Sequence, residues 1–150
     1  MSKPVFVLNG PNLNLLGTRE PKIYGTTSLA DVEAMCHQRA KALGLTVSFR
    51  QSNSEAQIID WIHEGIRGSS GIIINPAAFT HTSVAILDAL KNVKHPIIEL
   101  HISNPHQREE FRHRSFVTLV ATGLICGVGV NGYPLAVEAM AMLIKSRKAK

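Results

Sequence analysis

The chain has 150 residues, 45% of them hydrophobic, which suits one globular domain over 1–150 with one core. Its 16 basic and 11 acidic residues give a formal net charge of +5, but no stripe of Lys, Arg and aromatics marks it as nucleic-acid-binding. No apolar run is long enough to cross a membrane, the N-terminus carries no signal-peptide core, and Cys36 and Cys126 have neither metal-site nor redox-pair spacing, so a reducing cytoplasm is the expected setting.

Short apolar runs alternate with amphipathic stretches along the chain. Val5-Phe6-Val7-Leu8 reads as a buried strand ending at Asn9-Gly10-Pro11. Ser28 caps a helix from about Leu29 to Leu43, stopped by Gly44. Thr46 to Phe49 is a second strand, and Ser54 with Gln57 forms a capping box for a helix carrying Ile58, Ile59 and Ile62. Gly71 to Asn75 is a third strand, followed by a helix from about Ser83 to Leu90. Pro96 to Leu100 is a fourth strand, with a short helix around Gln107 to Phe111 after it. Phe116 to Ile125 carries a fifth strand, and a last helix starting near Tyr133 presents Ala136, Val137, Met140 and Leu143. Both cysteines read as buried thiols.

Strands alternating with helices imply a parallel sheet covered on both faces. Right-handed crossovers make it a three-layer α/β/α sandwich, and the expected strand order is flavodoxin-like, 2-1-3-4-5. Ligands bind such sheets beyond the carboxyl ends of the strands. That points to the segments after Leu8, Asn75 and Leu100, where the unusual polar residues gather.

The first connection, Asn9 to Gly25, is long for a βα loop, and loops of this length are commonly functional. It holds Arg19 and Tyr24, one of two tyrosines. A guanidinium beside a phenol favours tyrosinate, bringing a group with an ordinary pKa of about 10 toward use as a base. The plainer alternative is a tyrosine that packs on the domain with its hydroxyl in water. After the third strand, Asn75 and His81 face the expected crevice; alternatively they are a turn residue and a helix neighbour.

Strand alternation puts Glu99 and His101 on one side of the fourth strand. A carboxylate beside an imidazole fixes its tautomer and stabilises the imidazolium, the arrangement of a general acid. A polar pair on a central strand breaks the local rule of apolar residues, and such breaks mark sites; the competing reading is a surface ion pair. Arg112 is placed to clamp a carboxylate with its planar fork, whereas Arg108 fits a solvated basic face better.

Other motifs fall away. Gly127-Val128-Gly129-Val130-Asn131-Gly132 matches GxGxxG but lies at the last strand, with no following unit to supply a ribose ligand, so it reads as close backbone packing. No phosphate loop of the ATPase type and no metal cluster is present in the sequence pattern. The low charged fraction of 18% hints at surface buried between copies of the chain. The tail Lys145 to Lys150 reads as a solvated terminus, and the mild positive field favours small anionic substrates.

Taken together, Leu8 to Gly25, Asn75-Pro76-Ala77-Ala78 with His81 and Asp88, Glu99 to Asn104 with Arg108 and Arg112, and Gly123 through Tyr133 resemble the type II 3-dehydroquinate dehydratases over nearly the whole chain. The resemblance implies a flavodoxin-like fold and a reaction that removes water from 3-dehydroquinate through an enolate. It makes Tyr24 the base at C2, Arg19 its activating partner, and Asn12 the holder of a water at the enolate. It makes His101, oriented by Glu99, the acid at the departing hydroxyl. Asn75, His81, Ile102, Ser103 and Arg112 match substrate-binding positions, and Asp88 matches a residue reaching a neighbouring subunit's site. The family needs no cofactor, metal or Schiff base and assembles as a dodecamer of trimers. Phe116, where a tyrosine is common, and the order His113-Arg114 depart from the pattern outside the motif core. A flavin- or nucleotide-binding module on the same fold is the alternative, weakened by the lack of a phosphate-binding glycine loop after the first strand.

Overall fold

The computed structural model describes residues 2–18 and 20–149, with the side chain of Tyr24 outside that description. Five strands, β1 (Val5–Asn9), β2 (Val47–Gln51), β3 (Gly71–Asn75), β4 (Ile97–His101) and β5 (Gly123–Cys126), form one parallel sheet in the order β2-β1-β3-β4-β5. The flavodoxin-like three-layer arrangement expected from the sequence is therefore present. Its helices are the single turn α1 (Pro21–Tyr24), α2 (Leu29–Ala42), α3 (Glu55–Gly68), α4 (Val84–Leu90) and α5 (Gly132–Lys148).

Alternation along each strand divides the core in two. Val5, Val7, Ile73, Ile98 and Leu100 pack on one side with Val32, Cys36 and Ala40 of α2 and Ala136, Val137 and Met140 of α5. Phe6, Leu8, Ile72, Ile74 and Ile97 pack on the other with Ile58 and Ile62 of α3 and Ile86, Ala89 and Leu90 of α4. Every residue of β1, β3 and β4 is buried, whereas β2 and β5 form the sheet edges and are only partly covered. Burying one such Ile or Leu side chain is worth about 1.5–3 kcal/mol.

Several local expectations shift. The reciprocal capping box sits at Ser28 and Asp31 of α2, while at α3 Ser54 accepts from the Gln57 N–H without a return bond. The helix expected near Gln107 is two 3₁₀ turns, Pro105–Gln107 and Glu110–Arg112, separated by an extended Arg108. The fifth strand begins at Gly123, not Phe116, because Val117–Leu119 forms a 3₁₀ turn that packs Val117 under α4 and turns its hydroxyl-bearing neighbours toward Glu99. Cys36 is fully buried, and burial pushes its thiol up to about 12; Cys126 is only half-buried on the edge strand. No described helix is long and apolar enough to cross a membrane.

Candidate active site

Strands β1, β3 and β4 are neighbours, and Asn9 and Asn75 stand in register at their carboxyl ends. The following loops therefore converge at one edge of the sheet. Gly10 lets the first two come together: a Cβ there would lie 2.3 Å from the Pro76 carbonyl oxygen. Asn12 adopts a left-handed φ of 70°, which Asn tolerates better than most residues, and its N–H donates to Asn53 Oδ1 at 3.0 Å. The Gln51 amide, at the end of β2, donates to the Gly10 carbonyl at 3.1 Å. The start of the long first loop is thus tied to the sheet.

Asn75 is held by the second tyrosine. Tyr133 is 0% exposed; its hydroxyl donates to Asn9 Oδ1 at 2.7 Å and accepts from Asn75 Nδ2 at 2.9 Å. Asn75 Oδ1 in turn accepts from the N–H of Ala77, which sits at a left-handed φ of 52°. Backbone in that region is strained for a residue with a Cβ and persists where surrounding bonds fix it.

These loops enclose a cleft lined by Asn12, Leu13, Asn75, Ala77, His81 and His101, with Ile102, Ser103, Arg108 and Arg112 on its other wall. Its empty space, mouth included, is about 640 Å³, a size for a small molecule. The structure thus brings together seven of the residues singled out from sequence: Asn12, Asn75, His81, His101, Ile102, Ser103 and Arg112. It also brings in Arg108, whose assignment to a solvated face is corrected: Arg108 Nη1 donates to Ser103 Oγ at 3.4 Å and the residue lines the cleft. Arg108 and Arg112 reach it from separate 3₁₀ turns.

Glu99 lies behind this cleft. It is 1% exposed, and its Oε2 accepts from His101 Nε2 at 2.5 Å. Burial alone would raise its pKa, but hydrogen bonds from His101, Thr118 and Ser115 outweigh that and hold the carboxyl below the usual range. Glu99 is therefore a buried anion against an imidazole that borders the cleft. On the facing loop, His81 Nδ1 lies 2.7 Å from the Arg114 carbonyl and so must carry a proton. Burial, with His101, Arg112 and Arg108 nearby, pushes His81 below its ordinary pKa. A neutral His81 keeps Nε2 as an acceptor. Arg112 pairs with Glu109 through Nε, which leaves its terminal nitrogens as a fork.

The remaining expectations fall elsewhere. Asp88 is on α4, exposed and 3.8 Å from Lys91 Nζ, and does not line the cleft of its own chain. Arg19 and the Tyr24 side chain lie outside the described residues; the backbone of Tyr24 ends α1. Among the described residues, no group of three or more His, Cys, Asp and Glu converges to hold a metal ion. Sequence reasoning missed Thr80, Ser115 and Thr118 around Glu99. The only available signal was indirect: a carboxylate on a central strand requires donors from somewhere.

The fold and the cleft define a doubly wound α/β protein with a small-molecule site at the sheet's carboxyl edge, where a carboxylate–imidazole pair meets two arginines. Residues 3–141 match the family model for dehydroquinase class II, and the chain belongs to that family. It is 59% identical over 147 residues to the 3-dehydroquinate dehydratase of Streptomyces avermitilis, covering 97% of this chain and 92% of that one. It is 57% identical over 145 residues to the 3-dehydroquinate dehydratase of Phenylobacterium zucineum, covering 97% of this chain and all of the other. The crystal structure of type II dehydroquinase from Propionibacterium acnes superposes with a TM-score of 0.91 at 48% identity, over 95% of this chain and 98% of that one.

Proposed function

We propose that the chain is a hydro-lyase that converts 3-dehydroquinate to 3-dehydroshikimate by trans-elimination of water, in the shikimate pathway or in quinate breakdown. The observation that carries the reading is the 2.5 Å bond between buried Glu99 and His101 at the floor of a cleft rimmed by Arg108 and Arg112.

The reaction needs three things. A proton next to a ketone is weakly acidic, so a positioned base must take it. The enolate must be stabilised where its charge develops. Hydroxide leaves poorly, so an acid must protonate it. Tyr24, activated by Arg19, takes the C2 proton. The electron pair moves into the ketone to give an enolate, stabilised through a water held by Asn12. His101 then gives its proton to the hydroxyl on the carbon next to C2; the enolate collapses, the carbon–oxygen bond breaks, and water leaves. Glu99 stabilises the imidazolium that donates.

Binding follows from charge and geometry. The Arg112 fork suits the substrate carboxylate, and Asn75, His81, Ile102 and Ser103 line the space for its ring and hydroxyls. Supporting Tyr24 as base is the state of the other tyrosine: Tyr133 is buried, its pKa is pushed up by burial, and its hydroxyl is committed to Asn9 and Asn75. Among the lysines, Lys22, Lys41 and Lys91 are absent from the cleft lining, which supports elimination without an imine. Asp88, on the outer surface, reaches the site of a neighbouring copy in a cytoplasmic dodecamer built from trimers. Exposed Leu119 (75%), Met142 (72%) and Phe111 (68%) favour such association.

Purified protein mixed with 3-dehydroquinate will produce the conjugated enone, seen as rising ultraviolet absorbance, with or without a chelator and with or without borohydride. Folded protein that gives no rise defeats the assignment; inhibition by borohydride with substrate defeats the imine-free mechanism.

A further inference from the structure

A carboxylate removed from water is costly unless its oxygens are satisfied. Glu99 meets that demand with donors from outside its own strand. Ser115 Oγ donates to Oε2 at 2.7 Å, and Thr118 Oγ donates to Oε1 at 2.5 Å. Thr80 and Ser115 hydroxyls are 2.6 Å apart, while Thr80 is 3.5 Å from Oε2. Each hydroxyl owns one proton. Since Ser115 spends its proton on Glu99, the short contact requires Thr80 to donate to Ser115. The chain therefore runs from Thr80 to Ser115 to Oε2, with Thr118 arriving separately on Oε1.

We propose that Thr118, Ser115 and Thr80 are positioning residues for the elimination: their hydroxyls lock Glu99 as an oriented carboxylate, and through it dictate which ring nitrogen of His101 serves the cleft. The inference rests on the reading of His101 as the acid. With the His101 Nε2 proton also directed at Oε2, both carboxylate oxygens meet only donors. A protonated Glu99 would set its own proton against one of them. The imidazole accordingly keeps Nε2–H on Glu99 and uses Nδ1 to deliver the proton to the departing hydroxyl.

The cradle also links the two imidazoles. The Phe116 N–H donates to the Thr80 carbonyl at 2.9 Å, fixing the segment that carries Ser115 and Thr118 against the loop that carries His81. Two residues before Phe116, the Arg114 carbonyl accepts from His81 Nδ1 at 2.7 Å. The same short stretch thus fixes the tautomer of His81 directly and that of His101 through Glu99.

Thr118 is the sharpest test, because its hydroxyl is the partner of Oε1 while the residue itself is solvent-exposed and contributes little packing. Thr118→Val keeps the shape and removes the hydroxyl; Thr118→Ser keeps the hydroxyl. In steady-state turnover of 3-dehydroquinate by the full chain, Thr118→Val is expected to lose about 10- to 100-fold in kcat, the scale of one hydrogen bond to a charged group, with KM within about twofold. Thr118→Ser will be close to wild type. In a Glu99→Gln background, adding Thr118→Val will cost less than about threefold more, as expected for groups that act through one another. Unchanged kcat in Thr118→Val, equal impairment of Thr118→Ser, or a full penalty in the Glu99→Gln background each overturns the proposal while wild-type turnover stands. A wild-type chain that does not turn over overturns the assigned function, and this proposal with it.

Discussion

Tyr133 and Tyr24 illustrate how position decides what a phenol can do. Tyr133 is enclosed at 0% exposure, neutral, and hydrogen-bonded in both directions, so it serves as a strut beneath the Asn75 turn. Tyr24 belongs to the first loop, with Arg19 five residues before it. Replacing Tyr24 by Phe is expected to lower kcat by about 10²–10⁴-fold, the usual worth of a general base, while substrate binding persists. His101→Ala is expected to lose a similar factor at the elimination step. Stopped-flow and steady-state absorbance on both variants check this, and turnover near wild type would remove the residue from its role. At this scale the sequence was legible where two residues of a site are near in the chain. Glu99 and His101 are separated by one residue on a strand, so alternation alone pairs them. The Glu99 hydroxyl partners were not legible, because Thr80 and Thr118 are 19 residues away and Ser115 is 16, and no local period relates them. Arg108 was misread for a related reason: no local period marks it, and it lines the cleft from an extended residue between two 3₁₀ turns.

The elements follow from simple signals where backbone chemistry is local. Ser28 and Ser54 each cap the helix that begins after them, and Gly44, at a φ of 73°, ends α2 as expected. β1 and β3 read as continuous apolar runs up to their terminal Asn because both of their faces are covered, whereas Glu99 and His101 interrupt β4. The fifth strand was read too long, since an apolar, β-branched stretch carries the same pattern whether it pairs or turns. Ser115 to Val120 instead holds the turn and the residue before it that supply Thr118 and Ser115 to Glu99. The central strands also set the stability of the site's platform. Ile73, 0% exposed, stands between Val7 of β1 and Ile98 of β4. Ile73→Ala is expected to cost about 2–5 kcal/mol through lost burial and the cavity left behind, seen as an earlier denaturation midpoint in urea. A loss under about 1 kcal/mol would mean that the sheet repacks around the gap.

For the whole molecule, strand order decides where a site can form before any side chain is considered. Placing β3 beside β1 and β4 beside β3 brings three βα connections to one edge, where Asn12, Asn75, His81, His101, Ser103, Arg108 and Arg112 gather. The order was legible because alternating strands and helices with right-handed crossovers allow few arrangements. Assembly was not: the role proposed for Asp88 in a neighbouring copy leaves no periodic trace in a single sequence. The most direct measurement is a crystal structure of the protein with a non-reacting cyclic analogue of 3-dehydroquinate. The account predicts the analogue in the cleft between β1, β3 and β4, its carboxylate on Arg112, the Tyr24 hydroxyl facing the carbon next to the ketone, and His101 Nδ1 within hydrogen-bonding reach of the oxygen that would depart. An analogue bound there with the Tyr24 ring turned away from that carbon, or with His101 out of reach of that oxygen, would contradict it.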